Sequence, residues 1–246
     1  MNYLSYKKGE NIKMKKLETL IKNDIEEIFE KILLKHNYIF PISSKSRSGA
    51  EISDYLEDEF VLYLEKNPHK RIYNGLGSPK GASKNPYDFC FCYKCEEIGF
   101  DDLIWGDIKA TKTSYKDSNP DLGTPEKLIK FILDGHFYIL FVFLEYNSIE
   151  GDKTEFKAFE DGKYVHCQFL KDIHHSVRIN PKPQFQVNIK EKEEYRTIDE
   201  FVELFYKKYQ ESIERNIMKQ QKKKEKLKER FLEIKEKLKL YKGNNL

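Results

Sequence analysis

Residues 87–112 read YDFCFCYKCEEIGFDDLIWGDIKATK, and the fold turns on this stretch. Tyr87, Phe89, Phe91 and Tyr93 alternate with Asp88, Cys90 and Cys92. Further on, Ile104, Gly106, Ile108 and Ala110 alternate with Asp107, Lys109 and Thr111. A period of two residues is that of a β-strand with one apolar and one polar face. The link between the two runs, residues 96–102, is polar and holds Gly99, so the spacing predicts an antiparallel hairpin centred between Glu97 and Ile98. In that register residue 88 faces residue 107, with Cα atoms about 5 Å apart and side chains on one face. Lys109, two residues beyond Asp107, points to the same face.

Two facing carboxylates repel each other, and a divalent cation between them removes the repulsion. Hard oxygen ligands suit Mg²⁺, with Mn²⁺ as a substitute. Such a cation polarises a phosphate, and a neighbouring lysine can orient the attacking water or offset charge growing on a phosphorane-like transition state. The same residues also have a plain structural reading. Asp88 would cap a turn after Pro86, and Asp107 with Lys109 would be a surface charge pair of little energetic weight.

Working outward, Leu17, Ile21, Ile25, Ile28 and Ile32 mark an amphipathic helix over residues 15–35. Ile52, Leu56, Phe60 and Leu64 form the stripe of a second helix, with Ser48 and Glu51 at capping-box spacing for its start. Residues 72–86 carry three Gly and two Pro and read as loop. Gly75, Gly77 and Gly81 do not match a phosphate-binding P-loop. Downstream, Pro125 opens a helix over 125–134, and residues 136–146 are apolar on both faces, as in a central strand. Strands near 154–160 and 163–170 are joined by Asp161-Gly162, a hairpin signal. Residues 184–189 alternate again, and residues 198–242 read as one long helix.

Seventeen Phe and 16 Tyr in 246 residues supply a core, which excludes disorder throughout despite 35% charged residues. The longest apolar run, Phe137–Leu144, is too short to span a bilayer, and residues 1–16 lack the apolar segment of a secretory signal. Four cysteines do not make a disulfide framework, so a reducing cytoplasm is expected. Cys90, Cys92 and Cys95 have irregular spacing for zinc and Cys167 is remote, so these read as buried thiols. His174 and His175 read as loop residues rather than ligands. Residues 207–242 hold 14 basic and 6 acidic residues, which suits either a polyanion near the tail or a solvated helix. Within it Leu227, Phe231, Ile234, Leu238 and Tyr241 are spaced as a short coiled-coil seam.

Pro86, Asp88, Asp107 and Lys109, preceded by an acid-bearing helix and followed by a helix and a buried strand, resemble the PD-(D/E)xK nuclease superfamily, and within it the type II restriction endonucleases. The segments SRSGAEISDYLEDEF (46–60), GDIKATK (106–112), RINPKPQFQVNIKE (178–191) and RTIDEFVELF (196–205) extend the likeness over roughly residues 45–210. The resemblance implies an α/β restriction-endonuclease-like core, a central mixed β-sheet flanked by helices, over residues 1–197, with a basic helical extension over 198–246. It implies Mg²⁺-dependent, sequence-specific hydrolysis of double-stranded DNA, with Asp88 and Asp107 holding the metal and Lys109 assisting the water. A glutamate on the preceding helix often touches the metal in this superfamily. Glu51 lies in that segment and is equally the acid of the capping box, and Glu57 stands in reserve. A homodimer matched to a symmetric site and a cognate DNA methyltransferase as genetic partner are further implications. Two alternatives stay open: a structure-selective or repair nuclease of the same superfamily, and a non-catalytic DNA-binding or coiled-coil protein.

For DNA recognition, Gln184, Gln186 and Asn188 share one strand face opposite Phe185, Val187 and Ile189, and amide side chains can read adenine in the major groove. An ordinary exposed strand face has the same pattern. Arg178, Asn180 and Lys182 precede them as base or phosphate contacts, and Lys45, Arg47, Lys80 and Lys84 sit on loops suited to phosphate contact.

Overall fold

A computed structural model describes residues 8–42, 48–79, 87–113, 119–150 and 153–243. Lys45, Arg47, Lys80, Lys84 and Pro86 lie outside the described residues. Two compact units are present, Met1–Val202 and Glu203–Leu246.

Helices α1 (Lys8–Lys35) and α2 (Ser48–Lys66) carry the two apolar rows that the spacing predicts. Leu17, Ile21, Ile25, Ile28 and Ile32 are all buried, as are Ile52, Leu56 and Phe60. The helices meet through Phe29 and Phe60, stacked with ring centroids 5.4 Å apart, and the Phe89 ring closes on both. Arg71 and Tyr93 tie the sheet to α1 through Asp24, with the Tyr93 hydroxyl donating over 2.7 Å.

Strands β1 (Ile39–Phe40), β2 (Ile72–Gly77), β3 (Phe89–Cys95), β4 (Phe100–Lys112), β5 (Ile139–Ile149) and β6 (Lys153–Lys157) form a mixed sheet in the order β1-β6-β5-β4-β3-β2, and β7 (His166–Phe169) also pairs with β5. The β3–β4 hairpin has the expected register: Phe89 pairs with Gly106, Cys90 with Trp105 and Phe91 with Ile104. β4 and β5 are parallel, and helix α3 (Pro125–Leu133) lies in the crossover, since parallel strands cannot be joined by a tight turn. Thr124 caps α3, and Pro125 sits in its first turn, where no amide proton is missed. Ile139–Leu144 are buried on both faces, which explains the absence of alternation there. Among the described residues no helix is long and apolar enough to cross a membrane.

Two expectations are corrected. Residues 72–77 are not loop but the edge strand β2, which pairs with β3 through a register shift between Tyr73 and Leu76. Its glycines serve packing: a Cβ at Gly75 would overlap Leu64, and one at Gly77 would overlap Glu57. The Asp161-Gly162 turn forms, with Gly162 at φ 84°, but it does not close a ladder between β6 and β7. Both strands pair instead with successive stretches of β5, residues 145–149 and 140–143.

Further along, β8 (Arg178–Ile179) and β9 (Phe185–Gln186) form a separate two-stranded sheet, and helix α4 runs over Ile198–Gly243. Leu227, Phe231, Ile234, Leu238 and Tyr241 of α4 are exposed.

Gly106 is the tightest point of the hairpin, because an added Cβ would enter the Phe89 ring between the cross-strand partners. Gly106→Ala is expected to lower stability by about 1–3 kcal/mol through overpacking, measured by urea denaturation.

Candidate active site

The apolar side of the hairpin faces α1 and α2: Phe89, Phe91, Tyr93, Ile104 and Ile108 belong to the main core cluster. Asp107 and Lys109 alternate with Ile108 on β4 and fall on the opposite face, where β4 runs into a cleft of about 500 Å³ that Asp88, just ahead of β3, also lines. Ser53 and Asp54 of α2 and residues 119–121 line it with them.

Asp107 is 5% exposed, and its Oδ1 accepts an ion-pair contact from Lys109 Nζ at 2.7 Å. Burial pushes its pKa up to about 7. The Lys109 ammonium opposes that rise, while the charge and hydrogen bond of Asp88 add to it. For Lys109, burial works against the charged form, but the attraction of Asp107, with contributions from Asp88 and Asp121, outweighs it and lifts the pKa above the ordinary lysine value. Asp88 is held from behind. Its Oδ2 accepts from the Ile108 amide at 2.7 Å and lies 2.9 Å from Ser53 Oγ, which is also 3.0 Å from the Ile108 carbonyl. The single Ser53 proton serves one of these acceptors at a time.

Glu51 does not join them. It is exposed and does not line the cleft. At about 100° per residue it lies some 200° round α2 from Ser53. The acids of α2 that face this side are Asp54, which lines the cleft, and Glu57. Glu57 is half-buried, with a pKa raised to about 7 first by burial and further by Asp88, against hydrogen bonds from Ser78.

The amide face is placed differently from a free reading surface. Phe185 and Val187 are buried, and Gln184, Gln186 and Asn188 lie opposite, as the alternation predicts. Gln186, however, uses both ends of its amide within the protein. Its Oε1 accepts from Arg178 Nη2 at 3.1 Å, and its Nε2 donates to the Asn119 carbonyl at 3.0 Å and to Asp121 Oδ1 at 3.3 Å. Asn180 is likewise engaged: its Nδ2 donates to Asp121 Oδ1 at 2.9 Å, and its Oδ1 accepts from the Lys182 and Gln184 amides. Asn188 Oδ1 accepts from the Lys190 amide at 3.1 Å. Arg178 and Lys182 are exposed.

Asp121 is the residue that sequence reading missed. It lines the cleft and also holds both Asn180 and Gln186. The backbone of 120–123 pairs with the small sheet through Leu122 N to the Phe185 carbonyl (2.6 Å), Phe185 N to the Gly123 carbonyl (2.7 Å) and an Asp121–Gln186 bridge. Only the polar loop composition of 113–124 signalled anything there.

Residues 13–229 match the family model described as SwaI-like: SwaI restriction endonuclease. The chain belongs to the SwaI-like restriction endonuclease family. That family is one of site-specific deoxyribonucleases. No curated protein matches the chain. Among solved structures it is similar to the NlaIV restriction endonuclease, with a TM-score of 0.43 and 11% identity over 68% of this chain. The match spans 66% of the NlaIV chain, a little under two thirds of its length.

Removing the Ser53 hydroxyl takes one hydrogen-bond donor from Asp88 and leaves it the Ile108 amide and the Asp107 carboxyl. Ser53→Ala is expected to cost about 1 kcal/mol in urea denaturation and to lower turnover while leaving DNA affinity in a gel-shift assay unchanged.

Proposed function

We propose that the chain is a Mg²⁺-dependent type II restriction endonuclease that hydrolyses phosphodiester bonds of double-stranded DNA at a specific sequence. The observation that carries this reading is Asp88, just ahead of β3, beside Asp107 of β4, with Lys109 Nζ 2.7 Å from Asp107 Oδ1, on the wall of an open cleft.

The donor set fits a hard divalent cation: two carboxylates converge, with no thiol or imidazole among the residues lining the cleft. Asp88 and Asp107 would hold Mg²⁺, or Mn²⁺ in its place, and the cation would supply positive charge against the scissile phosphate. Lys109 is a charged donor, since its pKa lies above the ordinary value. It therefore orients the attacking water and offsets charge on the phosphorane-like transition state, and it does not remove the proton. Asp88 is kept in line by Ser53 and by the Ile108 amide. Of the α2 acids, Asp54 and Glu57 are better placed than Glu51 to add to the field of the cleft.

Recognition falls to the β8–β9 sheet. Arg178, Lys182 and Gln184 are its candidate DNA contacts, while Asn180, Gln186 and Asn188 brace it. Asp121 joins that sheet to the cleft wall, so base reading and cleavage share one support. A homodimer would match a symmetric site, and the exposed seam Leu227–Tyr241 is a surface for a second copy. A DNA methyltransferase protecting the host sequence completes the proposal.

Digestion of a sequenced plasmid with Mg²⁺ is expected to give discrete bands with mapped, uniform ends. A smear or junction-dependent cutting would point to a structure-selective nuclease, and no cutting with Mg²⁺ or Mn²⁺ to a non-catalytic protein. Lys109→Ala is expected to lower the cleavage rate by at least about 10²–10³-fold with DNA binding retained.

A pH dependence follows from Asp107. Its pKa of about 7 means that it is largely protonated below that pH and must release a proton to take a cation. Mg²⁺ affinity is expected to fall by up to about tenfold per pH unit below pH 7 and to level off above it, as read by calorimetric titration from pH 5.5 to 8.5.

A further inference from the structure

His174 and His175 stand in the turn before β8, and Glu191 and Glu194 lie on the segment between β9 and α4. Their donor atoms converge. His174 Nε2 is 3.3 Å and His175 Nδ1 2.6 Å from the same oxygen, Glu194 Oε1, and Glu191 Oε2 is 4.0 Å from His174 Nε2. The donors of His174, His175 and Glu194 all lie within 4.8 Å of one another. None of these residues lines the nuclease cleft.

We propose that His174, His175 and Glu194, with Glu191 as the fourth donor, bind a borderline transition-metal cation, with Zn²⁺ the best chemical fit. Two imidazoles with two carboxylates make a nitrogen–oxygen donor set of the kind zinc takes in four-coordinate sites. The outer contacts are also in place. His174 Nδ1 lies 2.8 Å from Ser176 Oγ and accepts from the Ser176 amide at 3.3 Å, contacts that fix the ring with Nε2 turned toward Glu194 Oε1. Arg196 pairs with Glu194 Oε2, leaving Oε1 as the single coordinating oxygen. The backbone beneath is anchored, with the Glu194 amide donating to the Asp172 carbonyl at 2.8 Å and the Arg196 amide to Asp172 Oδ1 at 2.8 Å. Without a cation, the two rings satisfy Oε1 as ordinary hydrogen-bond donors. With it, one ion takes the place of the two ring protons and staples the turn before β8 to the segment after β9, closing the open end of the small antiparallel sheet.

The test is a zinc titration, against a competing chromophoric chelator, of the full chain carrying Asp88→Asn and Asp107→Asn, which removes the hard-oxygen pair. The wild-type chain in excess Mg²⁺ serves the same purpose should that variant not fold. One equivalent of zinc is expected to bind and raise Tm, and Co²⁺ in its place is expected to give visible d–d absorption without a thiolate charge-transfer band. His175→Ala, at a ring whose side chain is 65% exposed, is expected to abolish both effects without loss of fold. Ser176→Ala is expected to weaken binding by about 10-fold. No retained zinc, zinc binding unchanged by His175→Ala and Glu194→Gln, or a cobalt–thiolate band from the four free cysteines would each overturn the proposal.

Discussion

The pairing of Phe89 with Gly106 is the constraint on which the site depends. It fixes which side chains face α1 and α2 and which face the cleft, and a slip of one residue would exchange the two sets. The aromatic face makes that slip costly, because Phe89, Phe91 and Tyr93 are fully buried against the helices. Hydrophobic packing on one side of the sheet thus holds a carboxylate in an unfavourable place on the other. Asp107 is nearly inaccessible to water, and Lys109 offsets only part of the cost of its charge, which is why its pKa is raised rather than lowered. A buried acid with an unmet preference for positive charge is a poor stabilising element and a good cation ligand.

The cleft is built from segments far apart in the chain, and one short stretch joins them. Residues 119–123 present Asp121 to the cleft while their backbone bonds to the β8–β9 sheet. The amides of Asn180 and Gln186 therefore hold the sheet to the cleft wall instead of projecting toward solvent. The joint consists of a few hydrogen bonds between residues 119–123 and the small sheet.

The hairpin register, the helix rows and the doubly buried β5 were legible in the sequence because each is a repeating local pattern. β2 was not, since Gly75 and Gly77 resemble loop composition and are required instead by the close approach of Leu64 and Glu57, which only the packed structure shows. The Asp161-Gly162 signal correctly marked a turn, but β6 and β7 pair with successive stretches of β5 rather than with each other. At the site, Asp88, Asp107 and Lys109 share a face by arithmetic alone. Glu51 illustrates the limit: likeness of segment placed an acid on α2, whereas helical phase decides which acid turns inward. Alternation put the amides of Gln184, Gln186 and Asn188 on one face, yet the Gln186 amide donates to Asn119 and Asp121, more than sixty positions earlier.

Charge shows why the cleft calls for a cation before it meets a polyanion. Among the described residues, Asp54, Asp88, Asp107 and Asp121 line it, against Lys109 and Lys112. With all groups ionised the cleft is two charges negative, and a phosphate entering it is repelled. One divalent ion would bring the balance to zero, which is the electrostatic argument behind the proposed cation site. Attraction over a longer range has to come from elsewhere in the chain. Residues outside 207–242 hold 30 basic and 35 acidic side chains, so the excess positive charge is concentrated in residues 207–242. Formal negative charge thus collects at the cleft and formal positive charge in residues 207–242. On the proposed reading, a cleft with this balance would admit a phosphate only once a cation had entered it.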